Sequence, residues 1–245
     1  MTSTTPSNVA FDNSVQAHLR RVAEHNADSV RRAADLVLDV IRADGMVLTS
    51  GAGHSLAAVA ETFYRAGGLA CVRPLYHPEL LPLHGAVSST KAERRTGLAA
   101  EVLGDKLGEH DLLVVFSTSG VNHYPVELAQ LAKAAGRPVI GVTSGPSSSI
   151  APRRSGSTIA EESTVVLDTL VPSGDSTYPV DAPITAPIST VANAYLWNQL
   201  LVAVIDKAEQ VGLSVPLWRS SNVPGGDDAN ESLLAHYTPR IPELA

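Results

Sequence analysis

Residues 46–55 have the sequence MVLTSGAGHS, and this stretch decides the class of fold. Residues 46–49 have the length and apolar character of a buried β-strand, and the apolar spacing in residues 56–66 is typical of a helix. Gly51 and Gly53 allow the backbone to turn tightly between the two. The free N–H groups and the positive end of the helix dipole then face the turn. We therefore predict a parallel-sheet strand that ends at an anion-binding loop.

A second stretch, residues 112–120 (LLVVFSTSG), repeats this design. An apolar run stops at Phe116, and Ser117, Thr118, Ser119 and Gly120 open the next helix. Helix capping needs only one of these hydroxyls. Three hydroxyls together with the N–H groups of the turn suit a phosphate monoester held without a metal or ATP. The loop lacks the Gly-Lys-Ser/Thr of a P-loop, so we predict a neutral phosphate cradle, with simple capping as the alternative.

The remaining apolar runs complete an α/β pattern. Strands are predicted at residues 46–49, 69–72, 112–116, 138–143 and 164–168, with helices at 56–66, 125–135 and 188–211 between or after them. The strands are continuous Val/Ile/Leu runs rather than alternating patterns, which is typical of a parallel sheet covered on both faces. Residues 73–89 and 172–187 are expected to be loops.

A long helical pattern covers residues 11–43, ahead of the first strand. Residues 1–10 are expected to form a disordered tail, and residues 11–245 a single domain with this N-terminal helix and a C-terminal extension. The long helix either packs against a dimer partner or caps its own domain.

Composition excludes several classes of function. The net charge is −7 and there is no long basic run, so nucleic acid is not an expected partner. The single cysteine, Cys71, excludes an intrachain disulfide and a cysteine-based zinc site. No apolar run approaches the roughly 20 residues that span a bilayer, and residues 1–8 lack a secretory pattern, so a cytoplasmic protein without membrane contact is expected.

The glycine loop does not predict a dinucleotide or a metal. Leu56 takes the third glycine position of the dinucleotide fingerprint, and no acidic residue closes the second strand. The histidines lack metal-ligand spacing, so no metal and no cofactor are expected.

Gly51-Ala-Gly-His-Ser55 and Ser117-Thr-Ser-Gly120, in this order and spacing, resemble the two loops of SIS (sugar isomerase) domains. The resemblance implies a flavodoxin-like, three-layer α/β/α sandwich with a five-stranded parallel sheet. It also implies a sugar phosphate ligand, and a homodimer or homotetramer in which subunits share sites. The implied phosphate site is Ser117, Thr118, Ser119, Gly120 and Asn122, and the implied sugar site is Gly51, Gly53, His54 and Ser55. Residues 84–86, 93–94 and 221–230 resemble a subgroup of single-SIS proteins assigned to phosphosugar or phosphoheptose isomerases.

An aldose–ketose isomerase needs a base that moves a proton between C1 and C2 and an acid that opens the ring. Glu61, on the helix after the first loop, is either this base or a solvated carboxylate, and Glu93 competes for the role. Phosphoheptose isomerases carry the base further along that helix, where this chain has Arg65. His84 is the candidate acid, or an ordinary exposed histidine.

Other assignments stay open at this point. Asp175, Asn222 and Asp227 either reach a site or belong to turns. Besides the isomerase, a lyase of the kind represented by the muramic acid phosphate etherases and a non-catalytic phosphosugar sensor fit the same loops.

Overall fold

The computed structural model describes residues 7–245 of the chain, and its first element is a helix of 36 residues, α1 (Ser7–Arg42). The predicted N-terminal helix is therefore confirmed. Of the expected tail, residues 1–6 lie outside the described residues, and residues 7–10 form the first turn of α1.

A five-stranded parallel sheet forms the centre of the molecule, which confirms the predicted class of fold. Its strands are β1 (Val47–Gly51), β2 (Val72–Leu75), β3 (Leu112–Phe116), β4 (Val139–Thr143) and β5 (Val165–Asp168). Their order across the sheet is β2-β1-β3-β4-β5, the flavodoxin-like order. Every residue of β1, β3 and β4 is buried, as the continuous apolar runs predict.

Helices cover both faces of this sheet. After α1 come α2 (Leu56–Thr62), α3 (Ala86–Glu93), α4 (Leu98–Leu103), α5 (His123–Ala134), α6 (Gly145–Ser148), α7 (Ile159–Glu162), α8 (Ser189–Val211) and α9 (Gly226–Tyr237). α8 contacts both α1 and α2 on one face, and α5 contacts both α4 and α7 on the other. No helix within residues 7–245 combines the length and the apolar character that a membrane span needs.

Two boundaries differ from the sequence prediction because of the C-terminal segment. α2 ends at Thr62 rather than at residue 66, since Phe63 is extended and Tyr64 packs edge-on against Trp218, with ring centroids 5.0 Å apart. The predicted strand at 69–72 becomes β2 at Val72–Leu75, because Leu69 instead forms an antiparallel bridge with Leu217. Both contacts join residues about 150 positions apart, which local periodicity does not reveal.

Both predicted loops contain regular structure. Residues 73–89 hold two 3₁₀ turns, Pro78–Leu80 and Pro82–His84, and the start of α3. Residues 172–187 contain an antiparallel ribbon of β6 (Ser176–Tyr178) and β7 (Thr185–Pro187).

Candidate functional site

A cavity of about 660 Å³ lies beyond the carboxyl ends of β1 and β3. Gly51 and Phe116, the last residues of these strands, lie side by side in the sheet. The strand order reverses between β1 and β3, and open parallel sheets bind ligands at such switch points. The cavity is lined by Ala52, Gly53, His54, Ser55, Pro82, Ala86, Ser89, Thr90, Glu93, Ser117, Thr118, Ser119, Asn122, Ser147, Ile150, Ala151, Pro152, Ser173, Gly174, Asp175 and Ser189.

The loop after β3 forms one wall of the cavity, and hydrogen bonds to Thr143 and within the loop hold it in place. Gly120 has φ +63°, and a Cβ atom there would lie 2.6 Å from the Thr143 hydroxyl oxygen. That hydroxyl donates to the Thr118 carbonyl over 3.3 Å, and the Gly120 N–H donates to the Ser117 Oγ over 3.2 Å. The hydroxyls of Thr118 and Ser119 have no hydrogen-bond partner among the described residues, so a ligand can accept from both.

The N-terminus of α5 follows this loop directly and faces the same wall. Asn122 is at its N-cap position, but within the described chain the side chain makes no capping hydrogen bond. Its Oδ1 accepts instead from the Arg154 guanidinium over 3.0 Å. The dipole of this 12-residue helix places partial positive charge where the loop ends.

The loop after β1 forms the opposite wall. Gly53 lines the cavity with φ +60°, a backbone conformation that residues other than glycine rarely adopt. Gly51 does not line the cavity; a Cβ there would lie 3.2 Å from the Phe116 carbonyl, so glycine lets β1 and the turn approach β3 closely. His54 and Ser55 line the cavity beside Gly53.

A buried hydrogen bond connects the two loops beneath the cavity. The Tyr124 hydroxyl lies 2.7 Å from the Ser50 Oγ, which also donates to the Leu75 carbonyl over 3.3 Å. Burial raises the pKa of Tyr124 to about 12, so this hydroxyl remains protonated. Ser50 precedes the first loop and Tyr124 follows the second, so their bond sets the separation of the two walls.

Two carboxylates line the cavity and differ in their surroundings. Asp175, with φ +62°, accepts from the backbone N–H groups of Ile188 and Ser189 over 2.9 and 2.8 Å and from the Ser189 hydroxyl over 2.5 Å. It therefore fastens the loop at 173–175 to the start of α8. Glu93, at the end of α3, is half-buried, and no ion pair or hydrogen bond within residues 7–245 engages its carboxylate.

Comparison with known proteins decides the family. The sequence model of the SIS domain matches residues 10–144. A UPF0309 protein of Halalkalibacterium halodurans is 35% identical over 242 residues, which cover 96% of each chain. A UPF0309 protein of Streptomyces coelicolor is 38% identical over 231 residues, 91% of this chain and 92% of that one. The chain belongs to the SIS-domain family.

Solved structures agree with this SIS fold. A Bacteroides fragilis protein described as a phosphosugar isomerase involved in capsule formation is 26% identical, with a TM-score of 0.51 over 81% of this chain and 92% of that one. Phosphoheptose isomerase from Neisseria gonorrhoeae has a TM-score of 0.52 at 21% identity, over 81% and 96% of the two chains. The Vibrio vulnificus NanR protein, solved with ManNAc-6P, has a TM-score of 0.54 at 16% identity, over 97% and 70%. At these lower identities, the last two structures show the fold alone.

Most binding residues predicted from the SIS resemblance meet at the cavity. Seven of the nine line it, namely Gly53, His54, Ser55, Ser117, Thr118, Ser119 and Asn122. Gly51 and Gly120 do not line the cavity, but they allow the close packing that gives the two loops their shape.

The two predicted catalytic residues do not reach the cavity. Glu61 is outside the lining and pairs with Arg65 over 2.5 Å. It lies six residues after Ser55, about 240° around a helix, so its side chain leaves α2 on another face. His84 ends a 3₁₀ turn as an exposed residue, while Pro82 of the same turn lines the cavity. Among the carboxylates considered, the structure brings Glu93 and Asp175 to the SIS loops instead.

Sequence reasoning missed the hydroxyls that line the rest of the site, Ser89, Thr90, Ser147, Ser173 and Ser189. They come from separate elements, and isolated Ser or Thr residues carry no local pattern. Of the other predicted candidates, Asn222 lines a separate, smaller cavity beside Trp218. No group of three His, Cys, Asp or Glu side chains in the described range 7–245 is arranged to hold a metal ion.

Proposed function

We propose that this SIS-domain protein binds a sugar phosphate and interconverts its aldose and ketose forms by moving a proton between C1 and C2. One observation carries the proposal: the unengaged Glu93 carboxylate shares a cavity with the free hydroxyls of the loop after β3. The first group suits a general base and the second suits a phosphate.

The phosphate is assigned to Thr118, Ser119 and the N-terminus of α5. Hydroxyls and N–H groups donate hydrogen bonds to phosphate oxygens, and the helix dipole favours negative charge at this end. The sugar then extends toward Gly53, His54 and α3, which form the remaining walls.

Glu93 is assigned as the base. On the open-chain aldose, its carboxylate takes the C2 proton while the C1 carbonyl oxygen gains a proton, which gives an enediol. The proton is then returned to C1 as O2 loses its own, and the ketose results. His54, whose exposed side chain lies at the cavity, is assigned the proton transfers that open the ring.

The comparisons support the class of ligand. The Bacteroides fragilis protein, at 26% identity, is described as a phosphosugar isomerase, and this chain covers 92% of it.

A panel of sugar phosphates tests the proposal, first by the shift in melting temperature and then by NMR detection of solvent deuterium incorporated at C2. Glu93→Gln is expected to reduce exchange and turnover about 10²- to 10⁴-fold, the usual contribution of a general base, while binding persists. Glu61→Gln, the matched change outside the cavity, is expected to retain exchange.

Each alternative gives a different result. Full exchange in Glu93→Gln together with loss in Glu61→Gln would return the base role to Glu61. Release of a C3 substituent would indicate a lyase, and ligand stabilisation without exchange would indicate a sensor. Absence of stabilisation by every sugar phosphate would refute the proposed function.

A further inference from the structure

The charged side chains that line the cavity are carboxylates, whereas the ligand proposed above is itself an anion. Glu93 and Asp175 line the cavity, and no Lys or Arg within residues 7–245 does so. A phosphate monoester is close to a dianion at neutral pH. The partial charge of one helix end is only about half an elementary charge, so a full cation near the phosphate would add considerable attraction.

Arg154 lies next to this wall. Its Nη1 donates to the Asn122 Oδ1 over 3.0 Å, and Asn122 is buried with 8% exposure at the head of α5. The Ser155 hydroxyl donates to the Val121 carbonyl over 3.2 Å. The chain at 154–155 is thus attached at two consecutive points to the loop that carries Ser117–Ser119.

The Arg154–Asn122 bond engages the side-chain oxygen of Asn122. In an N-cap asparagine this oxygen ordinarily accepts from a backbone N–H in the first turn of its own helix. In the described chain, Asn122 makes no capping bond and its Nδ2 has no hydrogen-bond partner. The amide is therefore held with its oxygen on the guanidinium and its two N–H donors unused. Because Asn122 lines the cavity, an anion is the natural acceptor for those donors.

The positive charge of Arg154 is not neutralised by a carboxylate. Its neighbour Arg153 pairs with Glu161 over 2.5 Å, whereas within residues 7–245 Arg154 forms no ion pair. The two arginines are adjacent in sequence and both exposed, yet only the Arg154 side chain donates a hydrogen bond to a residue that lines the cavity.

We propose that Arg154 is a positioning residue of the phosphate subsite, which orients the Asn122 amide as a donor and supplies the cation that the cavity lining lacks. This inference rests on the proposed function, because it concerns how the phosphate of the sugar phosphate is recognised. With Arg154 beside the subsite, the protein prefers the phosphorylated ligand over the free sugar through charge as well as through hydrogen bonding.

The experiment measures affinity for sorbitol 6-phosphate, an open-chain hexitol phosphate without a carbonyl, by calorimetry from pH 5 to 8. Arg154→Gln is expected to raise the Kd about 10- to 100-fold at pH 7.5, the effect of losing a charged hydrogen-bond donor. The loss is expected to shrink toward pH 5, because the second ionisation of the phosphate lies near pH ~6. Arg154→Lys is expected to recover part of the affinity, and Arg153→Gln, the adjacent control, to keep that of the wild type.

A loss in Arg154→Gln that is the same at pH 5 and pH 8, or a Kd equal to that of the wild type, would overturn the inference. A purely structural role would lower the melting temperature of the unliganded variant without this pH dependence. Wild-type protein that binds no phosphorylated ligand would overturn the proposed function as well. If the wild type binds the ligand and catalyses exchange, but Arg154→Gln binds with the same Kd, then the inference is overturned and the proposed function is not.

Discussion

Tyr124 and Ser50 show at the scale of single residues how the two loops are kept at a fixed separation. The Ser50 Oγ donates to the Leu75 carbonyl, so the Tyr124 hydroxyl acts as donor to the same oxygen. All three groups are buried. Removing the tyrosine hydroxyl leaves Ser50 with one partner. Removing the serine hydroxyl takes away both the acceptor of the buried Tyr124 hydroxyl and the side-chain donor to the Leu75 carbonyl.

We expect Ser50→Ala to lower the free energy of unfolding by about 1–3 kcal/mol and Tyr124→Phe by only about 0.5–1.5 kcal/mol, because a buried polar group left without a partner costs more than a lost pair. Urea denaturation of both variants tests this order. Tyr195→Phe is the control, since the hydroxyl of this half-buried tyrosine has no partner among the described residues and its removal should cost little. A larger loss in Tyr124→Phe than in Ser50→Ala would contradict the assigned direction of the bond.

Single residues also show how much of the candidate site was predictable. The two loops followed from local order: an apolar run, then small residues, then a helical pattern. The base did not, because Glu61 is close to the first loop in sequence but leaves α2 away from the cavity. Glu93 instead lies at the end of α3, a helix that begins inside the predicted loop at 73–89. The Ser50–Tyr124 bond joins residues 74 positions apart and has no local pattern at all.

At the scale of elements, α1 is attached to the edge strand of the sheet by two buried polar side chains. The Asn26 amide donates to the Asp168 carbonyl and accepts from the Asp168 N–H, each over 2.7 Å. Two turns earlier, His18 Nε2 lies 2.9 Å from the Thr169 carbonyl. These bonds hold the polar middle section of α1 against the sheet, where Asn26 occupies a buried position of the helix.

The strands were predictable at this scale because burial on both faces produces unbroken apolar runs, and the bounds of β3 are those predicted. The ends of α2 and β2 were not, because the segment that carries Leu217 and Trp218 competes for the same residues. Partners distant in sequence thus decide the elements that local preference leaves open.

His18 makes the attachment of α1 sensitive to pH. Burial lowers its pKa below the ordinary value of 6.5, with a further contribution from Arg21, while the bond to Thr169 acts in the opposite direction. The unfolded chain therefore binds a proton more readily than the folded one below pH 6.5, so this residue lowers the free energy of unfolding as the pH falls.

We expect His18→Gln, which keeps a side-chain N–H for the Thr169 carbonyl but does not titrate, to lose that pH dependence. Wild-type stability should decline more steeply than that of the variant between pH 7 and pH 5, by at most about 1.4 kcal/mol per pH unit. Urea denaturation at several pH values gives the two slopes, and parallel slopes would show that His18 is not responsible.

At the scale of the whole molecule, the face formed by α1 and α8 is only partly covered. A helix of 36 residues is about 54 Å long, whereas five strands spaced about 4.8 Å apart form a narrower sheet. Near its start α1 exposes Val9 and Phe11, and farther along a groove of about 230 Å³ separates it from α8. The groove is lined by Ala23, Ala27, Val30, Arg31, Leu196, Gln199, Val202, Ala203 and Asp206.

This face is where we expect a second copy of the chain to pack, in line with the homodimer or homotetramer implied by the SIS resemblance. Val202, 57% exposed at the groove, should lie in the contact, so Val202→Glu is expected to shift the mass measured by light scattering toward that of the monomer. Val211→Glu is the matched control, because Val211 is 58% exposed on the same helix but about half a turn around from Val202. A carboxylate buried in an apolar contact without a partner is strongly unfavourable, whereas one at a solvated position is not. If the wild-type protein is already monomeric, or if both variants dissociate equally, then the face formed by α1 and α8 is not the contact between copies.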